Sequence, residues 1–308
     1  MNHRLFALTS SVALLSIAGP AMAATCSCAS VPLLGTMELA SPGEGKWFLA
    51  STYEYHDVSD LVSGSSTIPD QTGRDRTSQA LVLEASKGLS TKWSVSALIA
   101  AVDHDRTVGD SRTTSSGLGD GIVMLKYSPA RISLYSRNEL SIGLGARLPI
   151  GENDASQGGI ILAEDMQPSS GAFGGIFWVY GAHALNESAT ARLYANATYM
   201  NNGTNDREYR FGHETTASIG ASYQTQTAWG FNAELLYRHT NRDERNGTQI
   251  PNTGGQWLDF VPSAQYHLNE KMALRISAKI PVARDLNDAL QFTTKYAARV
   301  TLTYLFGD

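Results

Sequence analysis

Apolar and polar residues alternate along most of this chain in runs of roughly ten, each followed by a tight turn or a long polar loop. The last run shows the period: Phe292, Thr294, Tyr296, Ala298, Val300, Leu302, Tyr304 and Phe306 share one face, while Gln291, Thr293, Lys295, Arg299, Thr301 and Thr303 share the other. A period of two sends successive side chains to opposite faces of an extended strand. A strand with one greasy and one charged face separates water from lipid or from a core.

The same reading predicts twelve strands, near 46–57, 76–87, 92–104, 117–128, 132–149, 171–183, 188–201, 212–224, 228–240, 255–267, 271–282 and 291–306. Every second link is short, as at Gly88-Leu89-Ser90, Ser128-Pro129-Ala130 and Leu268-Asn269-Glu270. The alternate links are longer and polar, around 58–75, 105–116, 150–170, 202–211, 241–254 and 283–290. No stretch after the start is apolar enough to cross a bilayer as a helix, so insertion requires a closed barrel in which every backbone group is paired. The expected fold is all-β: a transmembrane antiparallel up-and-down β-barrel of about 12 strands, with short periplasmic turns and long extracellular loops. Aromatics support the orientation. Trp47, Trp93, Tyr127, Tyr223, Trp229, Tyr266, Tyr304 and Phe306 fall at the short-turn ends of outward faces, and Tyr55, Tyr199, Tyr237, Phe260 and Phe292 at the opposite ends, as two interfacial belts require. The competing fold is a soluble β-sandwich or lipocalin-like barrel, which has no reason to carry such belts.

The chain starts with a positive segment ending at Arg4, an apolar stretch Leu5–Ala18 and small residues around Ala23, the pattern of a secretory signal peptide. The expected divisions are a signal peptide at 1–23, a periplasmic segment with Cys26 and Cys28 at 24–45, and the barrel at 46–308. Residues 1–23 carry Arg4 and no acid, so cleavage moves the net charge from −5 to −6, which argues against a nucleic-acid partner. Export of this kind leads to the outer membrane of a Gram-negative cell, with lipid and lipopolysaccharide as surroundings. The ending Tyr304-Leu305-Phe306 resembles the signal read by the barrel-insertion machinery, although Gly307-Asp308 follow it. With only Cys26 and Cys28 a disulfide scaffold is excluded. The pair can form a strained local disulfide, hold a soft metal ion, join another chain, or be an incidental feature of a flexible tail.

If the apolar positions face lipid, the charged alternates face the lumen: Glu54, Glu84, Lys126, Arg137, Glu139, Arg147, Arg192, Glu234, Arg238, Asp259, Arg275, Lys279, Lys295 and Arg299. Nine of these are basic and five acidic, so the lumen is expected to be net positive inside an acidic chain. The excess sits in the last two strands at Arg275, Lys279, Lys295 and Arg299, a wall that would favour anions if water runs beside it. The alternative is a salt-linked network that fills the lumen. In that arrangement closure places Glu54 near Lys295, and Glu234 and Arg238 near Asp259.

Catalysis has little support in the sequence. His213-Glu214-Thr215 does not match the His-x-Ser-Asn-Gly run of barrel phospholipases. Asp105 beside His104 and Asp243 near His239 imitate only fragments of the paired acids and histidine of barrel proteases. Loop carboxylates such as Asp120, Glu164, Asp165 and Asp243 lack the dense spacing of a calcium loop, and no residue pattern requires a cofactor.

Gly117-Leu118-Gly119-Asp120, running into Gly121-Ile122-Val123-Met124-Leu125-Lys126-Tyr127, resembles the Gly-Leu-Gly-Asp strand of a transporter-like family. That family is named for the meta-pathway of phenol degradation and is loosely related to the fatty-acid and aromatic-hydrocarbon transporters of outer membranes. Arg147-Leu148-Pro149-Ile150-Gly151 and Gln167-Pro168-Ser169-Ser170-Gly171 are further matches. The resemblance implies a barrel that passes small hydrophobic or aromatic compounds. The expected function is therefore a monomeric outer-membrane channel or transporter for passive uptake of small molecules, aromatic or anionic. The alternatives are a closed barrel that binds a periplasmic partner at the Cys-x-Cys tail, and an outer-membrane hydrolase.

Overall fold

Among the residues described by the computed structural model, 42–133 and 136–307, twelve strands close into one antiparallel barrel. They are β1 (Trp47–Asp57), β2 (Arg74–Gly88), β3 (Trp93–Val108), β4 (Ser111–Ala130), β5 (Asn138–Leu148), β6 (Gly174–Ala184), β7 (Ala191–Asn202), β8 (Glu214–Gln224), β9 (Trp229–Thr240), β10 (Gly255–His267), β11 (Met272–Leu286) and β12 (Tyr296–Phe306). Each pairs with its sequence neighbours, and β1 closes on β12 in an unbroken register from Trp47↔Phe306 to Asp57↔Tyr296. The expected signal peptide and cleavage site, and Cys26-x-Cys28, lie outside the described residues.

Outward positions carry the lipid-facing residues: Leu81, Leu83, Ile99, Leu125, Leu144, Ile219, Ile276 and Val300 are all exposed. At the short-turn rim the expected rings meet in pairs, Trp93 with Tyr127 at 4.8 Å, Trp229 with Tyr266 at 4.9 Å and Trp47 with Phe306 at 6.2 Å between centroids. Such a girdle suits an interface where one side of each ring is apolar and the other wet.

Two expectations need correction. The final run is not one strand: Gln291–Thr293 leaves the barrel and pairs with Asp60–Ser63, which pairs with Ser66–Ile68 in a small sheet at the long-loop end. Phe292 is therefore buried, not lipid-facing, and lies under the Arg74 guanidinium at 4.7 Å. Lys295 occupies the exposed bend before β12, beyond the end of β1.

The long connections also fold onto themselves. Asn246 and Gly247 both have φ near +51° and +72°, the geometry of a two-residue hairpin turn between Glu244–Arg245 and Thr248–Gln249. Between β11 and the small sheet, both terminal nitrogens of the Arg242 guanidinium donate to Asp288, and the Asn252 amide adds a bond of 3.0 Å. These partners hold the Asp288 carboxyl at about 2, below its ordinary 3.8. A depressed carboxyl contributes above its unfolded value and loses that contribution as pH falls through the folded one. Protection of the 282–295 amides relative to their intrinsic exchange rates should thus hold from neutral pH down to about 4, then fall toward pH 2; a fall already near pH 6 would contradict this clamp.

Candidate functional site

The barrel interior divides into two walls. On β1, β12, β11, β10 and β9 the inward faces carry charged residues among small and polar ones. Glu54 on β1 is fully buried; its Oε1 lies 2.6 Å from Arg299 Nε, its register partner on β12, and its Oε2 lies 3.1 Å from His56 Nε2. Lys279 on β11 meets Asp259 on β10 at 3.8 Å. Arg238 on β9 meets Glu214 on β8 at 3.7 Å and lies over the Trp257 ring at 4.0 Å. Arg275 follows toward the short-turn end, with Thr301 as its register partner on β12. Tyr194 donates to Glu234 at 2.7 Å and to Asn232 at 2.9 Å.

The opposite wall is apolar, which alternation alone did not show. Ala80 and Val82 on β2, Leu98, Ala100 and Val102 on β3, Ile122 and Met124 on β4, and Ile176, Trp178 and Tyr180 on β6 form one buried cluster inside the barrel. The signal was present as missing alternation: Leu81-Val82-Leu83 and Leu98-Ile99-Ala100-Ala101-Val102 are apolar on both faces, as in strands covered on both sides. In the ring of strands β12 stands six places from β6, and β11 six from β5, so the basic and aromatic walls face each other. Lys126 projects from β4 within the apolar wall, buried, with its ammonium 4.9 Å from the Trp178 ring centre.

Of the expected lumen residues, Glu54, Glu84, Lys126, Arg147, Arg238, Asp259 and Lys279 are buried at inward positions. Glu139, Glu234, Arg275 and Arg299 are half-buried, and Arg192 is exposed at an inward position near the short-turn rim, its Nε donating to the Ala189 carbonyl at 2.9 Å. Two leave the set. Arg137 is exposed on the bend before β5, 3.5 Å from Glu187, and Lys295 is displaced as described. The partner of Glu54 is accordingly Arg299, not Lys295, because β1 ends opposite Tyr296.

The three segments that carry the family resemblance converge. In β4 the register with β3 slips between Ile99↔Gly121 and Ala101↔Leu118, a bulge at Gly119-Asp120. It shifts the inward parity on its N-terminal side to Gly117 and Ser115, while Asp120 keeps the inward parity of Ile122 and Met124 and is fully buried. There it accepts from Ser169 Oγ at 2.5 Å and from the Ser170 amide at 3.2 Å, and faces Arg147 at 3.5 Å. A Cβ on Gly151 would fall 1.8 Å from the Leu118 carbonyl oxygen, and one on Gly117 would crowd the Pro168 ring at 3.3 Å. The glycines let the loop lie directly on β4. The connection 149–173 therefore does not stand out in solvent as expected; Met166, Gln167, Ser169 and Ser170 are buried. Gln167 knits the loop together by accepting from the Ala155 amide and donating to the Leu162 carbonyl, both at 2.9 Å.

At the crest of this loop a single 3-10 turn, Glu164–Met166, spans the mouth. Asp165 receives Arg76 of β2 at 3.2 Å and Arg106 of β3 at 3.5 Å. Its neighbour Glu164 receives Arg207 and, at 2.9 Å, Arg245. Nearby, Tyr209 donates to Asp243 at 2.5 Å, and burial together with that carboxylate pushes its phenol well above the ordinary range. The suspected catalytic fragments separate: His104 is buried facing inward on Ser78, whereas Asp105 faces outward to Arg112. Among the described residues no group of three or more His, Cys, Asp or Glu is placed to hold a metal ion.

A closed twelve-stranded barrel with a lipid-facing band and a charged interior defines the class of transmembrane β-barrels. Residues 64–287 match the profile of the family named for a MetA-pathway of phenol degradation, and the chain belongs to that family. Its fold is similar to the COG4313 outer membrane channel from Pseudomonas putida F1, with 12% identity, a TM-score of 0.70, and 87% of this chain and 97% of that one covered. It is also similar to the β domain of the Bordetella autotransporter BrkA, at 14% identity and a TM-score of 0.52, over 85% of this chain and 100% of that one. No curated protein matches it.

Proposed function

We propose that the chain is an outer-membrane channel for passive uptake of small molecules, with a preference for anions. The observation that carries this reading is the pair of facing walls: Arg299, Lys279 and Arg275 on adjacent strands, against Trp178, Tyr180 and Met124 across the lumen. A basic wall attracts carboxylates and slows cations, while an apolar wall accepts a ring or short hydrocarbon with little desolvation cost. An aromatic acid fits both. The family name and the fold of the COG4313 channel support a membrane passage and carry no substrate with them. In this reading the short turns face the periplasm and the mature N-terminal segment lies on that side.

The test is single-channel recording of refolded mature protein in a planar bilayer under a salt gradient. Wild type should show anion-selective openings, and Arg275→Gln with Lys279→Gln should move the reversal potential toward zero. An unchanged potential would remove the basic wall from the mechanism. The packed apolar half of the lumen favours a second reading, a closed binding barrel whose periplasmic tail carries Cys26 and Cys28. A folded protein that never conducts would select it.

A further inference from the structure

The mouth carries an arrangement that neither the lumen walls nor the loop anchor requires. Arg76 and Arg106 are register partners on β2 and β3, both at inward positions, so their guanidinium groups converge at the rim. Arg74 lies two residues above Arg76 on the same face, stacked on Phe292 and close enough to Arg106 to be repelled by it. Between them stands the carboxylate of Asp165, and Arg76 Nη2 also donates to the Asp165 backbone oxygen at 2.5 Å. Asp165 belongs to the infolded loop, not to the barrel wall. Its neighbour Glu164 ties the same turn to Arg207 and Arg245, which come from the connections after β7 and β9.

The brace is therefore asymmetric in its chemistry. On the Glu164 side the arginines sit on other loops and travel with them; on the Asp165 side they are fixed in the barrel wall, facing the lumen. Arg76 and Arg106 share the one Asp165 carboxylate, and Arg74, which also feels Asp70, stands beside them. Planar guanidinium groups are the side chains best matched to a carboxylate.

We infer that Arg76 and Arg106 form a docking site for small organic carboxylates at the channel mouth, occupied at rest by the protein's own Asp165. An arriving carboxylate competes for the same donors. When it wins, the 3-10 turn is released on that side while Glu164 keeps it tethered on the other, and the mouth opens over the β2–β3 wall. The site rests on the channel reading but differs from the basic wall: it lies at the rim, on other strands, and works by exchanging one carboxylate for another.

The experiment is calorimetric titration of the folded, detergent-solubilised mature protein with benzoate, using uncharged benzamide as the control probe. Asp165→Asn removes the tethered charge at nearly constant size, and should tighten benzoate binding about tenfold if the site is free roughly a tenth of the time at rest. Arg76→Gln combined with Arg106→Gln should abolish benzoate binding in either background. Benzamide should distinguish none of the variants. Equal benzoate affinity in wild type and Asp165→Asn, or binding that survives loss of both arginines, would overturn the proposal. Should the double arginine variant fail to give a heat-modifiable folded band, Arg106→Gln alone, at the half-buried partner, should still weaken binding. Because binding is read without ion flow, a protein that binds as expected but never conducts would refute the channel reading and leave this site standing.

Discussion

Replacing Glu54 by alanine is expected to lower barrel stability by about 3–5 kcal/mol, the usual cost of removing one partner of a buried ion pair. Glu54 is inaccessible to solvent and stands on the seam where the first strand meets the last, with Arg299 at 2.6 Å and His56 at 3.1 Å. Without it, a guanidinium and an imidazole face each other in a low-dielectric interior with no acid between them, and the cost falls on the one ladder that closes the sheet. For a barrel of this size the temperature at which the folded band shifts in a gel should fall by roughly 10 °C. The control is Glu54→Leu with Arg299→Met, which removes both charges and should recover most of the loss. A single variant as stable as wild type would show that Arg299 and His56 are stabilised by something other than this carboxylate.

Asp120→Ala should act on the loop more than on the barrel. The carboxylate holds Ser169 and the Ser170 amide against β4 and faces Arg147, so its removal detaches 149–173 and leaves Arg147 buried without its acid. The expected results are cleavage of this loop by protease added to folded protein and a larger, noisier single-channel conductance, with a stability loss of about 3 kcal/mol. Asp120→Asn should be intermediate, because an amide oxygen still accepts from Ser169 while the charge opposite Arg147 is gone. If the loop in Asp120→Ala stays as protease-resistant as in wild type, the anchor lies elsewhere, in the glycine packing or in the Asp165 brace.

Strand number, order and the alternation of short and long links were legible because a period of two survives in every strand with one polar face. The interfacial rings were legible for the same reason. Legibility failed wherever two registers are equally consistent with the pattern. Phe292 continues the alternation of β12, yet the chain turns at Thr294-Lys295 and places it in the rim sheet. Glu54 has basic candidates at Lys295 and Arg299 on the same face, and only the hydrogen-bonded register assigns it Arg299. Stretches of β2, β3 and β4 are apolar on both faces, which signals an apolar interior but leaves open which face, Leu98, Ile122 and Met124 or its alternate, lines it.

The site was half legible. Arg275, Lys279 and Arg299 follow directly from parity, whereas Arg76, Arg106 and Asp165 did not stand out, because the first two look like rim residues and the third like one loop acid among many. The motif at Gly117–Asp120 was visible as a resemblance but not as a device.

The sequence by itself determined that this chain makes a closed β-barrel with a lipid-facing band, since this depends on local periodicity and on the need to pair every backbone group in lipid. Only the tertiary structure decided which charges meet, that the lumen has an apolar wall, and that the 149–173 loop folds inward to brace the mouth. Those outcomes depend on register, on the bulge at Gly119-Asp120 and on contacts between residues far apart in the chain, and a one-residue slip in any of them would turn the same side chains to the opposite face.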